Sequence, residues 1–328
     1  MNRYHLVHIT EFHYDGPVTE SYNEVRLRPM TDEKQSCLSF RLTTKPASQA
    51  KSYQDAFGNW VHQFNVLQEH RHLKIETDSV VLRLDVPEAA AATPLARVRE
   101  EEDGLYEEFY DYLVESNYVP HLEELDGLIA AAEGRSGGTA FGFAEAAALL
   151  IHERFQYVPG ATHVQSSIVD ALRLGQGVCQ DFAHLLLGAS RKRGLPARYV
   201  SGYLVPQRQE NPKSALEEVI GGQASHAWVE VYIPDCGWRA LDPTLGQAVG
   251  ERHVRIAYGR DYGDVAPVRG LYNGHAGQRL SVDVQLRPDV DVDGHEQLSG
   301  SAAVPPEEEI VEERPSQPAQ QQQPREGD

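Results

Sequence analysis

Short hydrophobic runs alternate with turn-like clusters along the first quarter of the chain. From Tyr4 to about Asp85, runs rich in Val, Ile, Leu, Phe and Thr are separated by clusters such as Asp15-Gly16-Pro17 and Gly58-Asn59, and no helical period is visible. Strand-length segments at this spacing are typical of an antiparallel sandwich or barrel. We therefore expect residues 1–88 to form an N-terminal antiparallel β domain.

An acidic stretch with helical spacing follows in residues 89–135. The chain first passes through an Ala/Pro-rich segment at 86–94, whose composition indicates a linker. Between residues 99 and 126 it carries eleven acidic side chains and one basic one, with hydrophobic residues at helical intervals. This pattern is typical of a helix with a solvated acidic face, and a binding face for cationic partners is the alternative. We therefore expect a linker and an acidic helical segment here.

Helical and then extended patterns fill residues 136–288. Helical segments at 144–155 and 167–174 precede a third helix within GVCQDFAHLLLGASRKRGLP, which runs from Gly177 to Pro196. That helix has an acid in its first turn, three basic residues in its last turn and Gly194 after it, which are the usual signals for helix ends. Strand signals follow at 197–205, 224–233, 238–241 and 280–286.

The last part of the chain, residues 289–328, has a different composition. It is rich in Pro, Gln and Glu and offers very few apolar side chains to a core. Such a segment cannot bury enough apolar surface to offset the entropy of ordering it. We expect a disordered tail.

Composition and charge exclude two classes of protein. Thirty basic against 49 acidic side chains give a formal charge of −19, and no Lys/Arg-rich run builds the cationic face of a nucleic-acid binder. No stretch approaches the ~20 apolar residues that span a bilayer, and the N-terminus lacks the apolar run of a signal peptide. The three cysteines form no CxxC pair and indicate reduced thiols. We expect a cytoplasmic protein that binds neither nucleic acid nor a membrane.

Cys179 is the cysteine best placed for chemistry. It follows Gly175-Gln176-Gly177-Val178 and begins the third helix, where unpaired backbone N–H groups and the positive end of the helix dipole favour thiolate over thiol. Its side chain shares a helix face with apolar residues, so it points towards the interior. On this segment alone, a structural buried cysteine is the commoner alternative. His184 lies about 140° round the same helix, so we expect it to be structural or to support the catalytic residues from behind.

A hairpin downstream brings a histidine and an aspartate together. His226 begins a strand, a turn at Pro234-Asp235-Cys236-Gly237 follows, and the returning strand ends at Asp242. If Ile233 pairs with Gly237, His226 and Asp242 lie one diagonal step apart on the same face, within reach of each other. A four-residue loop without a bulge would put them on opposite faces, so the hypothesis predicts an odd loop or a bulge. Separately, each has a plain alternative, a polar strand histidine and an Asx turn.

These motifs resemble those of the transglutaminase-like superfamily, specifically its bacterial two-domain proteins. The resemblance covers most of the chain to about residue 288 and rests on the blocks DAFGN, FQYVPGATHVQSS, GVCQDFAHLLLGASRKRGLPARYVSGY, SHAWVEVYIPDCGWRALDPT and GRDYGDVAPVRG. It implies an α+β fold, in which a papain-like transglutaminase core follows a β-rich N-terminal domain. In that core the Cys-bearing helix packs on an antiparallel sheet.

The resemblance also implies roles for individual residues. Cys179 would be the nucleophile, His226 the general base and acid, and Asp242 the residue that orients the imidazole. Such an enzyme attacks an amide of a peptide or protein and forms a thioester, which water or an amine then resolves. The backbone N–H of Cys179 and a group from Tyr157 or Gln156 are candidates for stabilising the oxyanion.

Two other interpretations remain open at this stage. One is a catalytically silent binding scaffold with a transglutaminase-like fold, against which the intact Cys, His and Asp set argues. The other is a metal enzyme, because His70 and His72 share a strand face, but neither an HExxH motif nor a cysteine cluster joins them. We expect a hydrolase or acyltransferase that uses neither a cofactor nor a metal. The sequence leaves the oligomeric state open.

Overall fold

One long strand organises the N-terminal part of the molecule. The computed structural model describes residues 1–84, 86, 91–205 and 225–288. Strand β1 (Asn2–Val25) lies in a seven-stranded antiparallel sheet with the order β2-β5-β1-β4-β3. Even-numbered side chains from Tyr4 to Tyr14 are buried and odd-numbered ones are partly exposed, as the two-residue period of a strand requires. The partners are β2 (Gln35–Lys45), β3 (Lys51–Gln54), β4 (Trp60–Val66) and β5 (His70–Arg83).

Two strands from the far end of the described chain complete this sheet. Strands β13 (Val268–Asn273) and β14 (Gln278–Pro288) both pair antiparallel with β1. The sequence prediction grouped residues 268–288 with 136–267 as the core, whereas in the structure these two strands hydrogen-bond to β1. Hydrophobic periodicity identifies a strand but not its partner, and the free edge of β1 offers backbone groups that β14 satisfies over eleven paired positions.

The middle of the chain is helical, but its acidic segment is more broken than the sequence predicts. Between residues 97 and 125 it forms two short helices and two 3₁₀ turns, because clustered like charges and Pro120 oppose one continuous helix. The helices are α1 (Arg97–Glu100), α2 (Glu102–Phe109), α3 (Asp126–Arg135), α4 (Ala140–Arg154), α5 (Ile168–Leu174), α6 (Cys179–Lys192) and α7 (Tyr262–Val265), with 3₁₀ turns at Tyr110–Tyr112 and Glu123–Leu125.

A second antiparallel sheet carries the candidate site. Its order is β11-β10-β9-β8-β12, and α6 packs against β8 and β9. This arrangement confirms the predicted α+β class with a cysteine-bearing helix on an antiparallel sheet. The strands are β8 (Ala197–Leu204), β9 (His226–Ile233), β10 (Gly237–Asp242), β11 (Gln247–Ala248) and β12 (His253–Gly259), and a separate parallel pair joins β6 (Gln156–Tyr157) to β7 (Gln176–Gly177).

One of the two hydrophobic clusters in the described chain spans both sheets. Helix α6 is buried from Cys179 to Arg191. The cluster that contains it also contains Tyr4 and Leu6 of β1. The N-terminal strands therefore support the helix that bears the cysteine.

Two sequence predictions concern parts of the chain outside this description. The predicted disordered tail, 289–328, lies wholly outside the described residues, and the predicted linker at 86–94 lies partly outside them. Among the residues that the structure describes, no helix has the length and apolar character needed to cross a bilayer.

Candidate active site

Cys179 begins helix α6 with its side chain turned inward. The residue is 3% exposed, and the preceding Val178 is extended. The carboxylate of Asp181 accepts the backbone N–H of Val178 at 2.8 Å and the hydroxyl of Thr162 at 2.6 Å. Asp181 therefore caps the first turn, as the sequence predicts, and ties the preceding loop to the helix that carries the sulfur.

His226 and Asp242 meet across the predicted hairpin. Ile233 pairs with Gly237 in the structure, which is the register that puts both side chains on one face. The Nε2 atom of His226 lies 2.7 Å from Oδ2 of Asp242, and both side chains are buried. The odd loop length predicted from the sequence is confirmed.

The thiol of Cys179 contacts the other side of the His226 ring. Its electrostatic interaction with the imidazole contributes, after Asp242, to a raised pKa of His226. Asp242 engages Nε2, and among the described residues the buried Nδ1 atom has no hydrogen-bond partner, so Nδ1 is the ring nitrogen available to the Cys179 sulfur during a reaction. The structure thus brings together all three residues that the sequence singles out.

Asp242 is held by more groups than the sequence indicates. Its Oδ1 atom accepts the backbone N–H groups of Thr244 at 2.9 Å and Leu245 at 3.2 Å, so it also forms the turn that was the plain alternative for it. A second histidine, His253, contacts Oδ2 through Nε2 at 3.0 Å. Because the backbone N–H of Gly250 donates to Nδ1 of His253 at 3.3 Å, the proton of His253 lies on Nε2 and is donated to Asp242.

His253 was missed by the sequence analysis. It lies on β12, which reaches Asp242 through the sheet rather than through the hairpin, and no local motif marks it. Its side chain is 2% exposed. Only the three-dimensional arrangement shows that one carboxylate oxygen serves two imidazoles.

The charges of this cluster follow from burial and pairing. Burial alone would lower the pKa of His226, but the adjacent Asp242 carboxylate outweighs it and raises that pKa. Burial would raise the pKa of Asp242, and the two histidines lower it instead. Burial lowers the pKa of His253 against the opposing effect of Asp242, which favours a neutral ring. The cluster is therefore an imidazolium–carboxylate pair supported by a neutral histidine.

The two oxyanion candidates are placed differently. Tyr157 is half-buried, packs edge-on against Phe182 at 6.2 Å, and has its pKa raised by burial and by the charges of Cys179, Asp181 and Asp242. Gln156 is exposed, and its side-chain oxygen accepts a hydrogen bond from Gln176 at 3.3 Å. Of the two, Tyr157 is the one that interacts electrostatically with the site.

His184 has a structural environment. It is fully buried, and its Nε2 atom accepts the backbone N–H of Tyr262 at 3.2 Å. Its ring packs against Tyr118 and Tyr199, each with a centroid distance of 5.1 Å. Burial lowers its pKa to about 3, so the ring stays neutral, in agreement with its predicted structural role.

Among the described residues, two groups of side chains have ligand atoms close enough to hold a metal ion. His226, Asp242 and His253 form one group, and Glu11, His13 and His72 form the other, with ligand atoms within 4.8 Å of one another in each. In the first group the atoms already contact each other at hydrogen-bond distances. The second group lies on the N-terminal sheet and has no such contacts.

The sequence and the fold resemble known proteins over nearly the whole described chain. Residues 4–82 match the bacterial transglutaminase-like N-terminal region, and residues 130–243 match the transglutaminase-like superfamily. An uncharacterized protein of Mycobacterium leprae is 33% identical over 288 residues, which cover 87% of this chain and 99% of that protein. A protein-glutamine gamma-glutamyltransferase of Pseudomonas aeruginosa is 33% identical over 106 residues, 31% of this chain but 15% of that enzyme.

A solved structure extends the likeness to the whole fold. A Cytophaga hutchinsonii protein, described as a candidate cysteine protease, superposes with a TM-score of 0.65 at 22% identity. The match covers 88% of this chain and 92% of that chain, and thus includes both sheets.

Proposed function

Because the chain belongs to the transglutaminase-like superfamily, we propose that it is a thiol enzyme that acts on amide bonds of peptides or proteins through a Cys179 thioester. The observation that carries the proposal is the buried chain of contacts from Cys179 to His226 to Asp242, which runs across α6, β9 and β10. A thiol, an imidazole and an orienting carboxylate in this order are the groups needed for acyl transfer.

In the proposed reaction the proton of Cys179 resides on Nδ1 of His226, and the Cys179 thiolate attacks the amide carbonyl carbon. The carbonyl π electrons move to oxygen, and the backbone N–H of Cys179 and the Tyr157 hydroxyl donate to the resulting oxyanion. When the carbonyl re-forms, the C–N bond breaks, and Nδ1–H of His226 protonates the departing amine. Asp242 holds Nε2–H throughout, which fixes the ring and stabilises its charged form.

The second half of the reaction reverses these roles. A water or an amine attacks the thioester carbon while Nδ1 of His226 accepts its proton, and the sulfur leaves as thiolate. If water attacks the thioester, the product is a carboxylic acid and the enzyme is a protease or amidase. An amine yields a new amide, hence a transglutaminase.

A thiol probe tests the nucleophile. Iodoacetamide should label the wild type and the Cys236→Ala variant at Cys179, and this labelling should disappear in Cys179→Ala. Burial raises the pKa of Cys37, so Cys37→Ala should also leave the rapid labelling unchanged. Equal labelling rates of wild type and Cys179→Ala would refute the assignment and favour the silent scaffold.

Turnover on a library of Gln-containing peptides separates the two reactions. Ammonia release with incorporation of an added amine identifies a transferase, and ammonia release without incorporation identifies a hydrolase. Cys179→Ala should abolish both. Absence of turnover with every peptide, despite rapid labelling of Cys179, would exclude glutamine side chains and direct the search to backbone amides.

Tyr157→Phe tests the proposed oxyanion donor. Loss of one such donor lowers kcat by about 10²- to 10³-fold. Alkylation of Cys179 by iodoacetamide forms no oxyanion, so its rate should not change. If Tyr157→Phe lowered kcat and the alkylation rate of Cys179 equally, Tyr157 would act on the position or protonation state of the thiol instead.

A further inference from the structure

Three potential metal ligands converge on the outer face of the N-terminal sheet. His13 on β1 lies directly opposite His72 on β5, and Glu11 precedes His13 by two residues and so points to the same face. The Nε2 atoms of the two histidines lie 3.7 and 3.9 Å from the same carboxylate oxygen, Oε2 of Glu11. The imidazole rings stack at a centroid distance of 4.4 Å with an interplanar angle of 22°.

These distances match a metal site better than a hydrogen-bonded cluster. A hydrogen bond between nitrogen and oxygen needs about 2.7–3.2 Å, so neither histidine bonds to Glu11. Tetrahedral Zn²⁺ with bonds of about 2.0–2.2 Å to nitrogen and oxygen keeps its ligand atoms about 3.3–3.6 Å apart. Within the described part of the chain the buried Nε2 atom of His72 has no hydrogen-bond partner, as expected of a nitrogen that is a ligand in the metal-bound protein.

We propose that Glu11, His13 and His72 bind a divalent transition-metal ion, with Zn²⁺ as the reference ion. Two imidazoles and one carboxylate suit zinc, nickel and copper, whereas Mg²⁺ and Ca²⁺ require more oxygen ligands. The three side chains are 31%, 56% and 42% exposed, so an ion can enter and a water can take the fourth position.

Neighbouring charges do not block the site. Lys74 lies opposite Glu11 in the ladder, but its ammonium group is paired with Glu76 at 2.8 Å. Arg279 lies opposite His13 on the other side of β1 and is exposed to solvent. The Glu11 carboxylate therefore remains available to an ion.

The site differs from the metal site considered in the sequence analysis. His70 and His72 were paired there because they share a strand face, but His70 is buried and its Nδ1–H donates to the carbonyl of Gln68 at 2.9 Å. Residues 70 and 72 also have different partners on β1, Val18 and His13, because the register shifts between them. The ligand set therefore depends on strand pairing.

The position of the site suggests what a bound ion would do. The inward side chains of the same strand, such as Leu6, join the core cluster that includes Cys179, whereas Glu11 and His13 point away from it. A bound ion would link β1 to β5 and stabilise the folded sheet by mass action. It would not take part in the chemistry at Cys179.

Calorimetric titration of the full chain with Zn²⁺ tests the proposal. We expect one site, and the same affinity in Cys179→Ala, in which the active-site thiol cannot contribute. His13→Ala and His72→Ala should each weaken binding by more than about tenfold. His5→Ala is the matched control, because His5 lies on the same strand and face but contacts Asp78 at 3.2 Å, and it should bind as the wild type does.

Two further measurements keep the outcome clear. Co²⁺ should bind with the visible absorption of a tetrahedral site. Zn²⁺, but not Mg²⁺, should raise the thermal unfolding temperature of the wild type and of His5→Ala, and neither ion should raise that of His13→Ala or His72→Ala. Glu11→Gln replaces a ligand conservatively and should also weaken binding if an alanine variant fails to fold. Unchanged affinity in the His13 and His72 variants, or loss of binding in Cys179→Ala, would overturn the proposal.

Discussion

Replacing His253 tests how the Asp242 carboxylate is stabilised. His253→Leu removes the N–H group that donates to Oδ2 of Asp242 at 3.0 Å, in a site where His253 is only 2% exposed. Leucine has a similar volume, so the change removes a hydrogen bond with little change in packing. His253→Gln is the matched control, because its amide keeps an N–H donor.

The expected loss of stability follows from the charge of the acceptor. A hydrogen bond to a charged group contributes about 1.5–3 kcal/mol, so the free energy of unfolding of His253→Leu should fall by about that amount at neutral pH. The backbone N–H of Gly250 also loses its acceptor, which lowers the free energy of unfolding further. Urea denaturation monitored by tryptophan fluorescence measures the change, and His253→Gln should recover most of it.

The same substitution should change the pH dependence of the proposed reaction. Without His253 the charge of Asp242 acts on His226 alone, so the pKa of His226 should rise further above its ordinary value of 6.5. In the wild type the raised pKa of His226 contributes its full stability below about pH 6.5, and this is lost as the pH rises through that raised pKa; the lowered pKa of Asp242 contributes stability above about pH 3.8, and this is lost as the pH falls through the lowered pKa. The alkaline limb of kcat/KM should therefore shift to higher pH in His253→Leu.

A purely structural role of His253 would give a different result. It would lower stability in both variants and leave the alkaline limb in place. The reasoning is refuted if His253→Leu and wild type share the same alkaline limb, or if His253→Gln is as unstable as His253→Leu.

Three substitutions test other contacts by urea denaturation. Gly202→Ala would place a Cβ atom against the carbonyl oxygen of Val254 and the indole ring of Trp228, so it should lower the free energy of unfolding by about 3 kcal/mol. The control Gly104→Ala meets no atom of the described residues within 4 Å and should raise the free energy of unfolding by up to about 1 kcal/mol. Glu230→Gln leaves two arginines without their buried carboxylate and should cost about 3–5 kcal/mol. Burial raises the pKa of Asp181 to about 6. As the pH rises from about 4 to 7, the free energy of unfolding of the wild type should therefore fall by about 2–3 kcal/mol relative to that of Asp181→Asn. A difference between the two proteins that does not depend on pH would contradict this.

The parts of the molecule governed by local rules could be predicted from the sequence. Helix α6 has its capping acid, its basic last turn and Gly194 in a left-handed conformation, with φ of 85°, as its sequence signals indicate. For the hairpin, the sequence leaves the loop length open but shows which register would put His226 and Asp242 on one face, and the structure has that register. These features depend on residues close together in the chain.

The parts that depend on strand partners could not be predicted. His253 reaches Asp242 only because β12 joins the sheet beside β8, and His13 reaches His72 only because β1 pairs with β5 in one register. A period of two identifies a strand and its faces but leaves its neighbours undetermined. The same limitation explains why β14 was assigned to the core domain.

The pairing of β14 with β1 has a consequence for how the protein is made. His8 near the start of the chain pairs with Val284, so this edge of β1 stays open until almost all of the described chain has been synthesised. At roughly 5–20 residues per second, a ribosome needs roughly 15–55 s to reach the partner strand. During that interval the nascent chain exposes an unpaired strand edge, which is the kind of surface that chaperones cover and that neighbouring nascent chains can capture.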